Sequence, residues 1–271
     1  MRSALLVAKL TFRESIKNRW VISFSIGFAI LSFLFSIVGS SETELTSNFN
    51  QTSAMILNIL MLFIPLLGFT LGAQTVAGDR EGGSLLYLLS HPISKNEYFF
   101  GKFIGSIWAL ITAITAGLGL AALGAGIGGA SNFLSFIILW INSLLFIIVC
   151  TSVGMIVSVF SSNRGRSVGT ALFAWLAFTV LSDLGLMATA QILRLRSEGI
   201  LGLALFNPLE VFKILSIRLL SSNLEVLGKG GIYLDMIFGS NLPFMLITWL
   251  LIISLVSLVC ANWVFKRQEE F

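Results

Sequence analysis

The chain has 271 residues, 56% of them hydrophobic and only 11% charged, with a net charge of +4. A water-soluble domain of this length cannot bury so much apolar surface, so an ordinary globular enzyme is excluded and an all-α, polytopic membrane protein is predicted. The small positive excess sits in short segments between apolar runs, the pattern of cytoplasmic loops rather than of a nucleic-acid-binding surface.

In chain order, residues Ala4 to Asn18 come first, with Lys9, Arg13 and Lys17 at i, i+4 and i+8 and with Leu5, Phe12 and Ile16 on a face neighbouring Ala8. This spacing predicts an amphipathic interfacial helix within residues 1–19, carrying a basic stripe. A cleaved secretion signal has a shorter basic start and a shorter apolar core than are found here. Six runs long enough to cross a bilayer follow: Trp20 to Val38, Ser53 to Ala77, Phe103 to Gly129, Phe133 to Phe160, Ser167 to Ile192 and Leu242 to Phe265. Each meets the requirement of roughly 20 apolar residues. Cys150 and Cys260 fall inside these runs and are read as packing residues rather than as a disulfide.

Lys and Arg set the orientation. They cluster before the first run, between the second and third, between the fourth and fifth and after the last, which predicts cytoplasmic termini. Arg194, Arg196, Lys213, Arg218 and Lys229 conflict with this, but they lie in the long segment 194–241, and long loops weigh less in the rule.

The segment after the second run is the most specific. Asp79, Arg80 and Glu81 lead into Gly82 and Gly83, which allow a tight turn, and Ser84 to Leu89 then reads as a short helix with Leu85, Leu86, Leu88 and Leu89 as apolar knobs. His91 and Pro92 end it. Ser94 and Glu97 form a capping box, with Ile93 and Tyr98 in the staple positions, so the third long helix should begin before the bilayer. Gly101 and Gly105, and Gly124 and Gly128, suit close helix contact.

Beyond the fifth run, Asn207, Pro208 and Glu210 read as cap, first helical residue and box partner of a short helix. Phe212, Leu215 and Leu219 supply its apolar face, and the segment is expected to lie in or dip into the outer interface as a lid or docking surface. Asp183 is the one acidic residue placed at membrane depth, a functional-site candidate because an uncompensated carboxylate there is costly.

The stretch Asp79 to Leu85, continued by His91-Pro92-Ile93-Ser94 and Gly101-Lys102, resembles the cytoplasmic loop of type-2 ABC transporter permeases, most closely the NosY-like permeases of nitrous-oxide reductase maturation. The amphipathic start, the six runs and Phe206 to Val211 extend the resemblance over nearly the whole chain, as a single permease domain, 1–271. The resemblance implies that Ala4 to Arg19 is an elbow helix and Ser84 to Leu89 a coupling helix. Residues 78–102 would then seat a separate, NosF-like ATPase, two copies of which serve a permease homodimer. It also matches Asp183 to an acidic position of the fifth span. The chain carries no G-x-x-x-x-G-K-[ST] loop, so ATP and magnesium are expected only in the ATPase subunit and no cofactor in this chain. A prokaryotic inner membrane is the implied location, with a periplasmic or extracellular partner on the outer face left open.

Two other classes compete with a permease. An intramembrane enzyme would need paired carboxylates, a metal-binding histidine pair or a serine with its base, whereas the single histidine, His91, sits in the coupling loop. A non-transporting assembly scaffold is compatible with the same features. Copper itself is a poor cargo candidate, because the two cysteines are far apart and the seven methionines form no Met-x-x-Met. No metal site is expected. A sulfur species or transmitted force fits the copper-enzyme kinship better, and export of a lipid, drug or peptide is the alternative.

Overall fold

The computed structural model describes residues 2–39, 50–128, 133–180, 197–221, 224 and 228–268, and the regular elements among them are all helical. They are α1 (Arg2–Lys17), α2 (Arg19–Gly39), α3 (Gln51–Glu81), the short α4 (Ser84–Leu89), α5 (Lys95–Ile127), α6 (Phe133–Phe160) and α7 (Arg164–Val180). Then come α8 (Ser197–Phe206), α9 (Pro208–Leu220), α10 (Gly228–Phe238), a 3₁₀ turn at Gly239–Asn241, and α11 (Leu242–Arg267). Five of these stretches are long and apolar enough to cross a bilayer: α2, α3, α5, α6 and Leu234–Arg267. The expected fifth run, Ser167 to Ile192, appears as the 17-residue α7, and its second half lies outside the described residues.

Helices α2, α5, α6 and α7 pack around α3, and α11 packs on α6. In α3, 78% of the apolar stretch is buried, against 22–44% in the other four. Small residues let the partners approach: a Cβ at Gly72 would lie 2.6 Å from the Thr151 carbonyl oxygen, and one at Gly154 would lie 2.6 Å from that of Phe69. The backbones of α3 and α6 therefore touch, which in a bilayer replaces the missing hydrophobic drive with dispersion contact. Side-chain hydroxyls add to the packing of α3, since Ser158 Oγ on α6 accepts from the Val76 and Ala77 amides and Ser167 Oγ on α7 donates to the Ala73 carbonyl at 2.6 Å.

The amphipathic start is helical, as its periodicity predicts, but its faces are arranged differently. Val7, Ala8, Thr11 and Ser15 are buried against α5, where Gly101 and Gly105 leave room for the α1 backbone. Leu5, Leu6, Leu10 and Ile16 point outward. The protein selects the face with small side chains because only those permit close approach, and the large apolar ones are left for the surroundings.

The outer segment also departs from expectation. Most of α9 is buried in the bundle end, against α6, α11 and α3. Phe212 stacks on Phe146 with ring centroids 4.2 Å apart and planes 7° from parallel, and Asn142 Nδ2 donates to Ser216 Oγ. Two of the cations that argued against the orientation have internal partners: Lys213 faces Glu210 at 3.7 Å, and Arg218 faces Asp235 at 3.2 Å.

Candidate functional site

The charged loop after α3 folds as one unit. Gly83 adopts φ = 70°, a left-handed conformation that side-chain-bearing residues rarely take, and it turns the chain from α3 into α4. Leu85 is 1% exposed and joins a cluster with Val7, Val76, Tyr98, Phe99 and Phe265, while Leu88, Leu89 and Ile93 pack partly against it. Leu86 and Tyr87 are 55% and 67% exposed. The expected row of four knobs is thus divided, because a helix of six residues has an inner and an outer face. Leu85 anchors α4 to its own chain and is not available to a partner.

The outward face includes Tyr87, which the leucine pattern did not single out. The His91 ring meets that of Tyr87 nearly edge-on at 4.9 Å, and His91 Nδ1 lies 3.0 Å from the Tyr87 carbonyl oxygen. His91 accordingly has a structural role in closing α4.

Asp79, Arg80 and Glu81 each reach a different element. Asp79 Oδ2 accepts from Lys102 Nζ at 2.7 Å and from the Tyr98 hydroxyl at 2.6 Å, both on α5, and Lys102 lies 3.4 Å from Glu14 on α1. Arg80 donates to the Ser161 carbonyl after α6 at 2.6 Å and to Gln268 Oε1 after α11 at 2.6 Å. Glu81 accepts from the Arg164 amide at the start of α7 at 2.7 Å. Three consecutive charges thereby tie together the ends of α1, α3, α5, α6, α7 and α11. Asp79 and Arg80 are partly buried by these contacts, whereas Glu81 stays exposed.

The start of α5 is capped as expected. Glu97 N–H donates to Ser94 Oγ at 3.2 Å, and Ser94 N–H donates to Glu97 Oε2 at 3.3 Å. Lys95 Nζ reaches the carbonyls of Lys266 and Gln268 at 3.3 and 3.0 Å. Gln268 also donates to the Val159 carbonyl at 3.0 Å, a part of the site that no sequence pattern marks.

On α1, Lys9, Arg13 and Lys17 are exposed, consistent with the basic stripe. A cleft of about 520 Å³ opens between α1, α3, α5 and α7, next to the Asp79–Lys102 pair.

At the other end of the bundle, Asn207 caps α9 by accepting from the Leu209 amide at 3.0 Å, with Pro208 at its first position, and Asn207 Nδ2 donates to the Phe178 carbonyl at 2.8 Å. Of the proposed apolar face, Phe212 and Leu215 are buried, whereas Leu219 is 38% exposed. Asp183 lies outside the described residues. Among the described residues no group of three His, Cys, Asp or Glu side chains could hold a metal ion. Cys150 is buried, Cys260 is exposed, and both are free thiols.

The profile of a family described as ABC-2 family transporter protein matches residues 5–269. Two curated relatives, each named probable ABC transporter permease protein NosY, align over 97% of this chain and 97% of their own length. The one from Stutzerimonas stutzeri is 26% identical, and the one from Pseudomonas aeruginosa is 27% identical.

Proposed function

Because the chain belongs to the ABC-2 family of transporter proteins, we propose that this multi-pass membrane protein is a permease subunit that couples ATP hydrolysis in a separate ATPase subunit to export or to force transmitted across the membrane. The supporting observation is α4, a six-residue helix whose Leu86 and Tyr87 face outward while Leu85 and the Asp79–Arg80–Glu81 triplet hold it to the ends of six other helices. A partner pressing on Leu86 and Tyr87 would move a braced unit rather than a loose loop. On this reading both termini and α4 lie in the cytoplasm, two copies of the chain pair with two ATPase subunits, and hydrolysis belongs to those subunits.

The resemblance of the Asp79–Lys102 loop to NosY-like permeases, a name the two relatives carry, supports a place in maturation of a copper enzyme such as nitrous-oxide reductase, with a sulfur species or mechanical work as the delivered quantity. From its place in the fifth apolar run of the sequence, Asp183 is proposed to act as an intramembrane carboxylate in transport. Asp183→Asn is expected to lower activity with assembly unchanged.

The deciding experiment is ATP turnover by the permease reconstituted with its ATPase subunit. Leu86→Asp and Tyr87→Asp should each weaken docking by roughly 30-fold, the scale of a lost interface anchor, and remove the stimulation of turnover. Both side chains are exposed in the permease alone, so insertion and folding should be unaffected. Full stimulation in both variants would refute α4 as the coupling element. Tight ATPase binding without any stimulated turnover in the unmodified protein would identify a scaffold instead.

A further inference from the structure

The cleft beside α1 is not explained by coupling. Its volume is about 520 Å³, and its lining includes Lys17, Asn18, Arg19, Gln74, Thr75 and Arg164. Its two carboxylates are already engaged, since Asp79 holds Lys102 and Tyr98, and Glu14 lies 3.4 Å from Lys102. Lys17 and Arg19 are exposed at the rim and make no ion pair or hydrogen bond with the described residues. Arg164 spends two N–H groups on Gln74 Oε1 and has further donors available. A polar cleft whose four cations, Lys17, Arg19, Lys102 and Arg164, outnumber its two acids, Glu14 and Asp79, favours a multiply oxygenated anion.

The position of the cleft selects the source of that anion. α1 turns Leu5, Leu6, Leu10 and Ile16 outward, the side chains of a helix lying at the acyl boundary, and Trp20, 37% exposed, follows Arg19 directly. The rim of the cleft then lies at headgroup depth. We propose that this cleft binds the phosphate of an anionic membrane lipid, with Lys17, Arg19 and Arg164 as its cationic contacts. The lipid would brace α1 against α3 and α7, beside the pair that holds the α4 loop. This inference rests on the membrane orientation proposed above only for which leaflet supplies the lipid.

Native mass spectrometry of the full chain, released from detergent after incubation with phosphatidylglycerol or phosphatidylcholine, tests it. Phosphatidylglycerol should be retained over phosphatidylcholine, and Lys17→Gln/Arg19→Gln should lower its retention by about 25-fold, at roughly five-fold per basic side chain facing an anionic surface. The control Lys9→Gln/Arg13→Gln removes the same charge from α1 outside the cleft and should change retention little. Equal retention of the two lipids, or equal loss in the two double variants, would overturn the proposal. Displacement of the lipid by millimolar inorganic phosphate would overturn the lipid source and assign the cleft to a soluble phosphate. ATPase stimulation is not read in this assay, so its outcome is separable from the coupling role of α4.

Discussion

At the scale of single residues, the site is governed by where charge is satisfied. Lys102 is 3% exposed and pairs with Asp79, whose side chain is 14% exposed, at 2.7 Å. Removing one partner of such a pair leaves the other buried without compensation, at a cost of about 3–5 kcal/mol. Lys102→Met should therefore lower the thermal unfolding temperature of the detergent-solubilised protein sharply, and Asp79→Asn/Lys102→Met should recover part of the loss. Equal destabilisation by the single and double variants would show that the pair is not the source. The sequence displays Asp79, Arg80 and Glu81 as a motif but not their partners, because Lys102, Ser161, Arg164 and Gln268 are brought to them only by tertiary packing. The same limit explains the reassignment of Leu85: its apolar character is evident, but the side of α4 it takes depends on the cluster formed by Tyr98, Phe99 and Phe265.

At the scale of elements, caps are local and so are readable in advance. The box of Ser94 with Glu97, and the Asn207–Pro208 start of α9, fall where the sequence puts them, although Asn207 caps through the Leu209 amide rather than in a box with Glu210. Depth is harder to read. The i, i+3, i+7 spacing of Phe212, Leu215 and Leu219 suggests one apolar face, yet Val211, Ile214 and Ile217 are buried as well, which makes α9 apolar nearly all round and so a core helix. Phe212→Ala should cost about 3–5 kcal/mol through loss of the stack on Phe146, measurable as reduced thermal stability. A cysteine at Phe212 should resist a bulky water-soluble thiol reagent, while one at Leu219 should react. Rapid labelling at Phe212 would mean that the segment is a surface lid after all.

At the scale of the whole molecule, five of the six apolar runs expected from composition are helices long enough to cross a bilayer, and of the fifth run only the 17-residue α7 is described. The arrangement around α3 is not visible from composition, since Gly72 and Gly154 are common residue types whose pairing appears only when the backbones meet. Orientation is a whole-molecule property too. Tyr87 and Ser240 lie at opposite ends of the bundle, because α11 runs from the 3₁₀ turn that holds Ser240 to Phe265, which packs on Tyr98 beneath α4. Cysteines at these two positions should be labelled by an impermeant reagent from opposite sides of sealed vesicles, with Tyr87 reached from the cytoplasmic side. Labelling of both from one side would reject the topology. The clasp of Arg80 and Lys95 on Gln268 also has a consequence in time: a nascent chain makes α4 early, but the seat beneath it stays unfinished until synthesis has passed residue 268. If α4 is the ATPase seat proposed above, a partly made permease offers it unbraced, and productive recruitment should wait until α11 is in the membrane.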